Sequence, residues 1–230
     1  MDEASTAGDA TWHGERPLHN PIDVARLGEI YSRTAAFYDG LVAEHQARAK
    51  LSALEVLNRR PGESFLEVGV GTAWAFEKVI DASGPDRTVG IDVAAGMLAV
   101  ARERVGAGAL LIADARALPF GDASFDCILN TYTFEVLPEE DIGLVIAECS
   151  RVLRPGGRLV AVNLTEGEAA DVAMIDDWKR RYADDPEYFG GARPLLLQPM
   201  LEAHAFERVT RRYVGTEWPS EVLLAYRPHD

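Results

Sequence analysis

Apolar residues recur near helical spacing from residue 22 to residue 58, marked by Ile30, Phe37, Leu41, Leu51, Leu54, Val56 and Leu57. "RRPGES" (59–64) breaks that pattern with Pro and Gly. Beyond it, short apolar runs alternate with longer amphipathic ones. The spacing predicts strands over 65–70, 88–92, 110–113, 125–130 and 158–163, and helices over 73–82, 94–105 and 139–153, the last stopped by "RPGG". Such alternation implies βαβ units and a parallel sheet covered by helices on both faces. Near the end the rhythm changes. A helix over 195–204 leads to "FERVTRRYV" (206–214) and then "EVLLAYR" (221–227), with only "GTEWPS" between them. Two strands so close predict an antiparallel hairpin at one edge. The expectation is an α/β fold with a seven-stranded, mostly parallel sheet. Residues 22–230 read as one domain behind a disordered acidic tail, 1–21; within it, 165–193 reads as a helical insertion bearing Trp178, Tyr182, Tyr188 and Phe189.

Composition narrows the partners. The chain has 230 residues, 47% hydrophobic and 26% charged, enough for one domain with a real core. Its net charge is −14, with three lysines (Lys50, Lys78, Lys179) against twenty arginines, so no nucleic-acid partner is expected. No apolar run reaches the ~18 residues of a membrane span. The first twenty residues lack the basic start and apolar centre of a signal peptide, and a cytoplasmic location is expected. Cys127 and Cys149 have no partner at ligand spacing, and the five histidines form neither HxxxH nor HxH. Two buried thiols and no metal are expected.

The chemistry centres on "FLEVGVGTA" (65–73), a strand running into Gly69-Val70-Gly71. Glycines there permit a tight turn and let a ligand approach bare backbone. A dinucleotide fingerprint wants a small residue at position 74; this chain has Trp74. Glu67, inside the strand end, would repel a pyrophosphate but attract an ammonium group, so the loop suits a zwitterion. Asp92 ends the second strand twenty-one residues past Gly71, where a carboxylate takes both ribose hydroxyls. Asp114 follows the third strand, where a carboxylate accepts an adenine amine while the Ala115 N–H meets a ring nitrogen. Taken singly, Asp92 also reads as a helix cap and Asp114 as a cap or turn.

The ordered series Glu67, Gly69, Gly71, Asp92, Asp114 resembles the class I S-adenosylmethionine-dependent methyltransferases. The likeness is to small-molecule members such as ubiquinone/menaquinone C-methyltransferases and bacterial phospholipid N-methyltransferases. "LPFGDASFDCILN", "ECSRVLRPGGRLVAVN" and "WPSEVLLAYRP" carry it further, over roughly residues 30 to 227. The resemblance implies a Rossmann-like sheet, S-adenosylmethionine as cofactor and S-adenosylhomocysteine as product. It implies that Glu67, Gly69, Val70 and Gly71 hold the methionine moiety, that Asp92 takes the ribose, and that Val93 and Met97 pack on the adenine. Asp114 and Ala115 would read the adenine edge, and Asn130 would face the methionine amine through its carbonyl. Tyr31 and Tyr38 match a helical lid over 22–58; Tyr38 reads equally as a packing aromatic. One departure is Ala73, where many relatives carry Gly: a negative φ there costs little, and a positive φ costs on the order of 1 kcal/mol.

For the acceptor, the strand ends offer Thr131, Tyr132, Glu135, Asn163 and Glu166, and Arg193 in "GGARP" suits a phosphate or carboxylate. Tyr38, Tyr132 and Glu135 are the catalytic candidates, though Glu135 reads equally as an acid serving a helix dipole. His45 reads as solvent-facing. The aromatics of 178–189 read as a cap over an apolar acceptor or as helix core. A monomer or homodimer acting on a small or lipid-like molecule is expected. Two alternatives stand beside it: a cofactor-binding protein without methyl transfer, and a nicotinamide oxidoreductase.

Overall fold

In the computed structural model, residues 18–229 are described except 107, 169, 170, 205 and 216. Among the described residues two helices precede the sheet, α1 (Val24–Thr34) and α2 (Tyr38–Leu57). Asp23 caps α1 by accepting the Arg26 N–H at 2.8 Å, and α2 ends on Asn58 in the left-handed region with its N–H on the Leu54 carbonyl. The continuous helical pattern of 22–58 is thus split by a short turn at 35–37 that contains neither Gly nor Pro. Of the expected tail, residues 1–17 lie outside the described residues. Asn20 is already packed, its amide donating to the Val136 carbonyl at 2.6 Å.

The elements that follow are β1 (Phe65–Val68), α3 (Trp74–Ser83), β2 (Thr88–Asp92), α4 (Ala95–Arg104), β3 (Ala109–Ile112) and β4 (Phe125–Thr131). After a 3-10 turn, Phe134–Val136, come α5 (Glu139–Val152), β5 (Leu153–Leu164), α6 (Val172–Asp184), α7 (Gln198–Ala203), β6 (Glu207–Val214) and β7 (Ser220–Tyr226). The sheet has seven strands in the order β3-β2-β1-β4-β5-β7-β6. β1 to β5 run parallel, while β7 is antiparallel to both β5 and β6, so the C-terminal pair closes the edge as its spacing predicts.

Alternating side chains give the sheet two buried faces. Leu66, Val68, Ile128 and Leu159 pack with α5 residues such as Val145 and Ile146, and Phe65, Leu129 and Val160 pack with Phe76, Ala49 and Ala53 on the other face. Both cysteines are buried free thiols. Strand order reverses between β1 and β4, which register Val68 opposite Asn130, and ligands in such sheets sit beyond the strand ends at that point. Among the described residues no helix is long and apolar enough to cross a membrane.

Candidate active site

The loop after β1 is fixed by two backbone bonds, Val70 N–H to the Ile91 carbonyl at 2.8 Å and Ala73 N–H to the Val70 carbonyl at 2.9 Å. Gly69 and Gly71 both have positive φ, 71° and 54°. A Cβ on Gly69 would lie 2.1 Å from Thr133 Oγ1, whereas one on Gly71 would meet nothing within 4 Å. Gly69 is therefore required by conformation and space, and Gly71 leaves an open cradle. Ala73 takes the costly option: φ is 64°, so it stands outside the helix as its N-cap and α3 begins at Trp74.

Asp92 joins this loop to β2. Its Oδ2 accepts the Gly71 N–H and its Oδ1 the Ala94 N–H, both at 2.8 Å. Burial pushes its carboxyl up while these amides pull it down. Asp114 is pulled below the usual carboxylate range by Arg116, which pairs with it at 2.7 Å and with Asp141 at 3.0 Å.

One cleft gathers much of the expected set. Gly69 and Gly71 meet Asp92, Val93 and Met97 on its wall, with Asp114 and Ala115 beyond them. Tyr31 and Tyr38 cover it from the helices, and Thr131 and Tyr132 close the side toward β4. Glu67, Val70 and Asn130 are not on its wall; all three are buried. The Asn130 amide donates to the Val68 carbonyl at 3.1 Å and so ties β4 to β1. Glu67 is 1% exposed, its Oε2 has no hydrogen-bond partner, and burial pushes its carboxyl up to about 8.

A second cavity of about 460 Å³ shares Tyr31, Tyr38, Tyr132 and Val136 with the first. Trp178, Tyr188, Phe189 and Trp218 line it, and Glu135 is its one charged wall residue among those described. The rings interlock: Trp178 stands edge-on to Trp218 at 5.5 Å and 5.1 Å from Phe189. Glu135 is 2% exposed, has an unpartnered Oε2, and is pushed up to about 8 by burial. Burial also raises the Tyr38 and Tyr132 phenols, which makes them donors rather than bases at neutral pH. Tyr132, at φ 57°, donates to or accepts from Ser220 Oγ at 2.7 Å. That strained backbone sits where the two cavities meet.

Three expected acceptor contacts reach neither cavity. Arg193 is fully buried and donates to the Glu135 carbonyl at 2.7 Å and to the Leu18 carbonyl, so it clamps the 3-10 turn. Asn163 donates to the Leu195 carbonyl at 2.8 Å and to Glu221 Oε1 at 3.1 Å, and Glu166 pairs with Lys179. His45 is not simply solvent-facing: it stacks on Trp218 at 4.5 Å. Lys50, absent from the expected set, packs its ammonium 5.6 Å from the Tyr132 ring and 5.9 Å from that of Trp74. Burial lowers it to about 8 against the pull of Glu67, Asp39 and Glu135. Gln46, buried on the second cavity's wall, and Thr133 against Gly69 were likewise not anticipated. The one local signal was that Lys50 is among only three lysines.

Residues 66–161 match the model of the methyltransferase domain. The chain is 31% identical over 215 residues to a demethylmenaquinone methyltransferase of Beutenbergia cavernae, covering 92% of this chain and 82% of that one. It is 33% identical over 153 residues to a malonyl-[acyl-carrier protein] O-methyltransferase of Methylococcus capsulatus, and there the match spans only about half of the relative, 54%, and 64% of this chain. In three dimensions it resembles the [4+2]-cyclase SpnF, at 18% identity and a TM-score of 0.72, over 93% of this chain and 99% of that one.

Proposed function

Because the chain belongs to the S-adenosylmethionine-dependent methyltransferases, we propose that it moves a methyl group from that cofactor to a small or lipid-like acceptor seated in the aromatic cavity. One observation carries this reading: the glycine-loop cleft and the aromatic cavity abut, sharing Tyr31, Tyr38 and Tyr132.

When bound, S-adenosylmethionine supplies a methyl on a sulfonium that is already activated toward in-line displacement. The chain's task is then to position, to desolvate and to handle a proton. Asp92 would hold the ribose: each of its oxygens accepts one amide and retains a lone pair for a hydroxyl. Val93 and Met97 would flank the adenine, and Asp114 with Ala115 would read its edge. The open side of Gly71 and the unpartnered Oε2 of Glu67 suit a zwitterionic arm, with Val70 and Asn130 shaping the backbone around it. Tyr31 and Tyr38, on the helices of 22–58, would act as a lid, and α6 with its flanking aromatics would act as the acceptor cap. Thr131 borders the cofactor cleft, while Tyr132 borders both chambers and would orient the acceptor. Glu135, raised to about 8 and so able to ionise near neutral pH where the tyrosines stay protonated, would take the acceptor's proton.

A second reading is that the cofactor is bound and its methyl retained. Calorimetric titration with S-adenosylmethionine and S-adenosylhomocysteine, with a nicotinamide dinucleotide as control, tests the cofactor. Turnover to S-adenosylhomocysteine with any of a panel of quinols, phenols, amines and phospholipids then separates the two readings. Binding of the dinucleotide alone would sink both.

A further inference from the structure

Among the described residues, the wall of the aromatic cavity carries one carboxyl, Glu135, and no basic side chain. The nearby cations stand off this wall. Arg193 lies behind Glu135, donating to main-chain carbonyls with its Nη2 3.9 Å from Glu139, and Lys50 lines a small adjoining hollow with Asp39 and Trp74. Arg181 stands 5.5 Å from the Phe189 ring, and His45 stacks on Trp218. A carboxylate or phosphate entering this chamber would face a buried acid with no counter-charge on the wall.

Resting on the methyl-transfer reading above, we propose that the acceptor is an amine carried on an apolar body, bound as an ammonium among the cavity's aromatic rings and deprotonated there by Glu135. Two features point to an ammonium head. Glu135 is 2% exposed and its Oε2 lacks a hydrogen-bond partner, which a ligand N–H supplies. Tyr38, Tyr132, Trp178 and Trp218 line the same chamber, and the Tyr132 ring already stands 5.6 Å from the Lys50 ammonium, so this aromatic wall is of a kind that attracts cations. The rest of the wall, including Leu41, Val42 and Leu164, suits an apolar body. Among the described residues, the titratable and charged groups facing Glu135 include Lys50 and Tyr38 from α2, Tyr31 from α1, Tyr132 after β4, and Arg193.

The chemistry balances with no further reactant. Glu135 carboxylate takes one proton from the ammonium. The freed nitrogen lone pair forms the new N–C bond as the S–C bond of the sulfonium breaks, and that bond's electrons stay on sulfur. The methylated ammonium carries away the positive charge that the sulfonium brought, and Glu135 returns its proton to water.

The test is calorimetric binding of 4-phenylbutylamine, 4-phenylbutanol, 4-phenylbutyrate and 4-butylphenol to the full chain, with and without S-adenosylhomocysteine. The S-adenosylhomocysteine titration is run first and judges the cofactor reading by itself, because the preference among the four probes is read on the free protein as well. The amine is expected to bind at least about tenfold tighter than the other three, and Glu135→Gln to erase that preference. A phenol or alcohol that binds as tightly as the amine overturns the proposal, as does a preference that survives Glu135→Gln. Should that variant not fold, Trp178→Leu decides: it is expected to weaken the amine more than the alcohol, and equal losses overturn the proposal.

Discussion

Asp92 Oδ2 accepts the Gly71 N–H at 2.8 Å, so the carboxylate that ends β2 also holds the backbone of the glycine loop after β1. One side chain thereby sets the loop and presents acceptor lone pairs to the cleft. Asp92→Ala should remove the charged acceptor and loosen the loop together. S-adenosylhomocysteine affinity is expected to fall by about 1–3 kcal/mol, roughly 5- to 150-fold, on the scale of hydrogen bonds to a charged group. Calorimetry on a variant with native circular dichroism checks this. Unchanged affinity would take Asp92 out of the site.

Ala73 sits at φ 64°, a region that costs a Cβ-bearing residue roughly 1–2 kcal/mol. Glycine relieves that strain but loses about 0.5–1 kcal/mol through its freer unfolded chain. The strain is the larger effect, so Ala73→Gly is expected to stabilise the fold by about 0.5 kcal/mol, with no added contact. Urea denaturation should show a higher midpoint at unchanged slope. A lower midpoint would mean that the Ala73 methyl packs well enough to outweigh its backbone.

These two residues also mark what was legible in the chain. The strand-and-turn rhythm located β1, β2 and their loop, because apolar runs and glycines act locally; Asp92 followed from its distance to Gly71. Ala73 posed the right question, but its φ depends on how the loop meets β2 and Thr133. The break between α1 and α2 carried no Gly or Pro to announce it. Arg193 and Lys50 were beyond reach for a different reason. Arg193 is defined by carbonyls 58 and 175 positions away in sequence, and the fold alone brings Lys50 to Glu67. A motif names which strand end matters; it does not say which buried groups converge behind it.

Lys50 faces Glu67 and lowers that carboxyl's proton affinity, in opposition to burial. Removing the ammonium should let Glu67 hold its proton more tightly and lose the charge that suits a ligand's amino group. Lys50→Met is expected to weaken S-adenosylhomocysteine by about tenfold at pH 7, the effect of roughly one unit of displaced proton affinity. The gap should close toward pH 9.5, where Lys50 itself, already lowered to about 8, is neutral in the parent protein. Titrations at both pH values check this, and a gap of equal size at both would show that Lys50 acts by packing alone.

Glu135 gives the last prediction its sign. Its carboxyl rises from an ordinary 4.5 to about 8 on folding, chiefly through burial, with the Glu135 and Leu164 backbone amides and then Arg193 and Lys50 pulling the other way. A group whose proton is held more tightly in the folded state contributes stability that is complete below the unfolded value and lost as pH climbs to the folded one. Between about pH 4.5 and pH 8 the parent should therefore lose stability steadily, and above that window this contribution should level off. Glu67, also pushed up to about 8, acts in the same direction and remains in the variant. Glu135→Gln cannot ionise, so its loss across the window should be shallower. The two proteins should be close at pH 5, and by pH 8 the variant should be ahead by as much as a few kcal/mol. Urea melts at those two pH values measure the difference directly. Parallel slopes for parent and variant would mean that Glu135 keeps an ordinary carboxyl in the folded protein, ionised at neutral pH and far less able to hold an acceptor's proton.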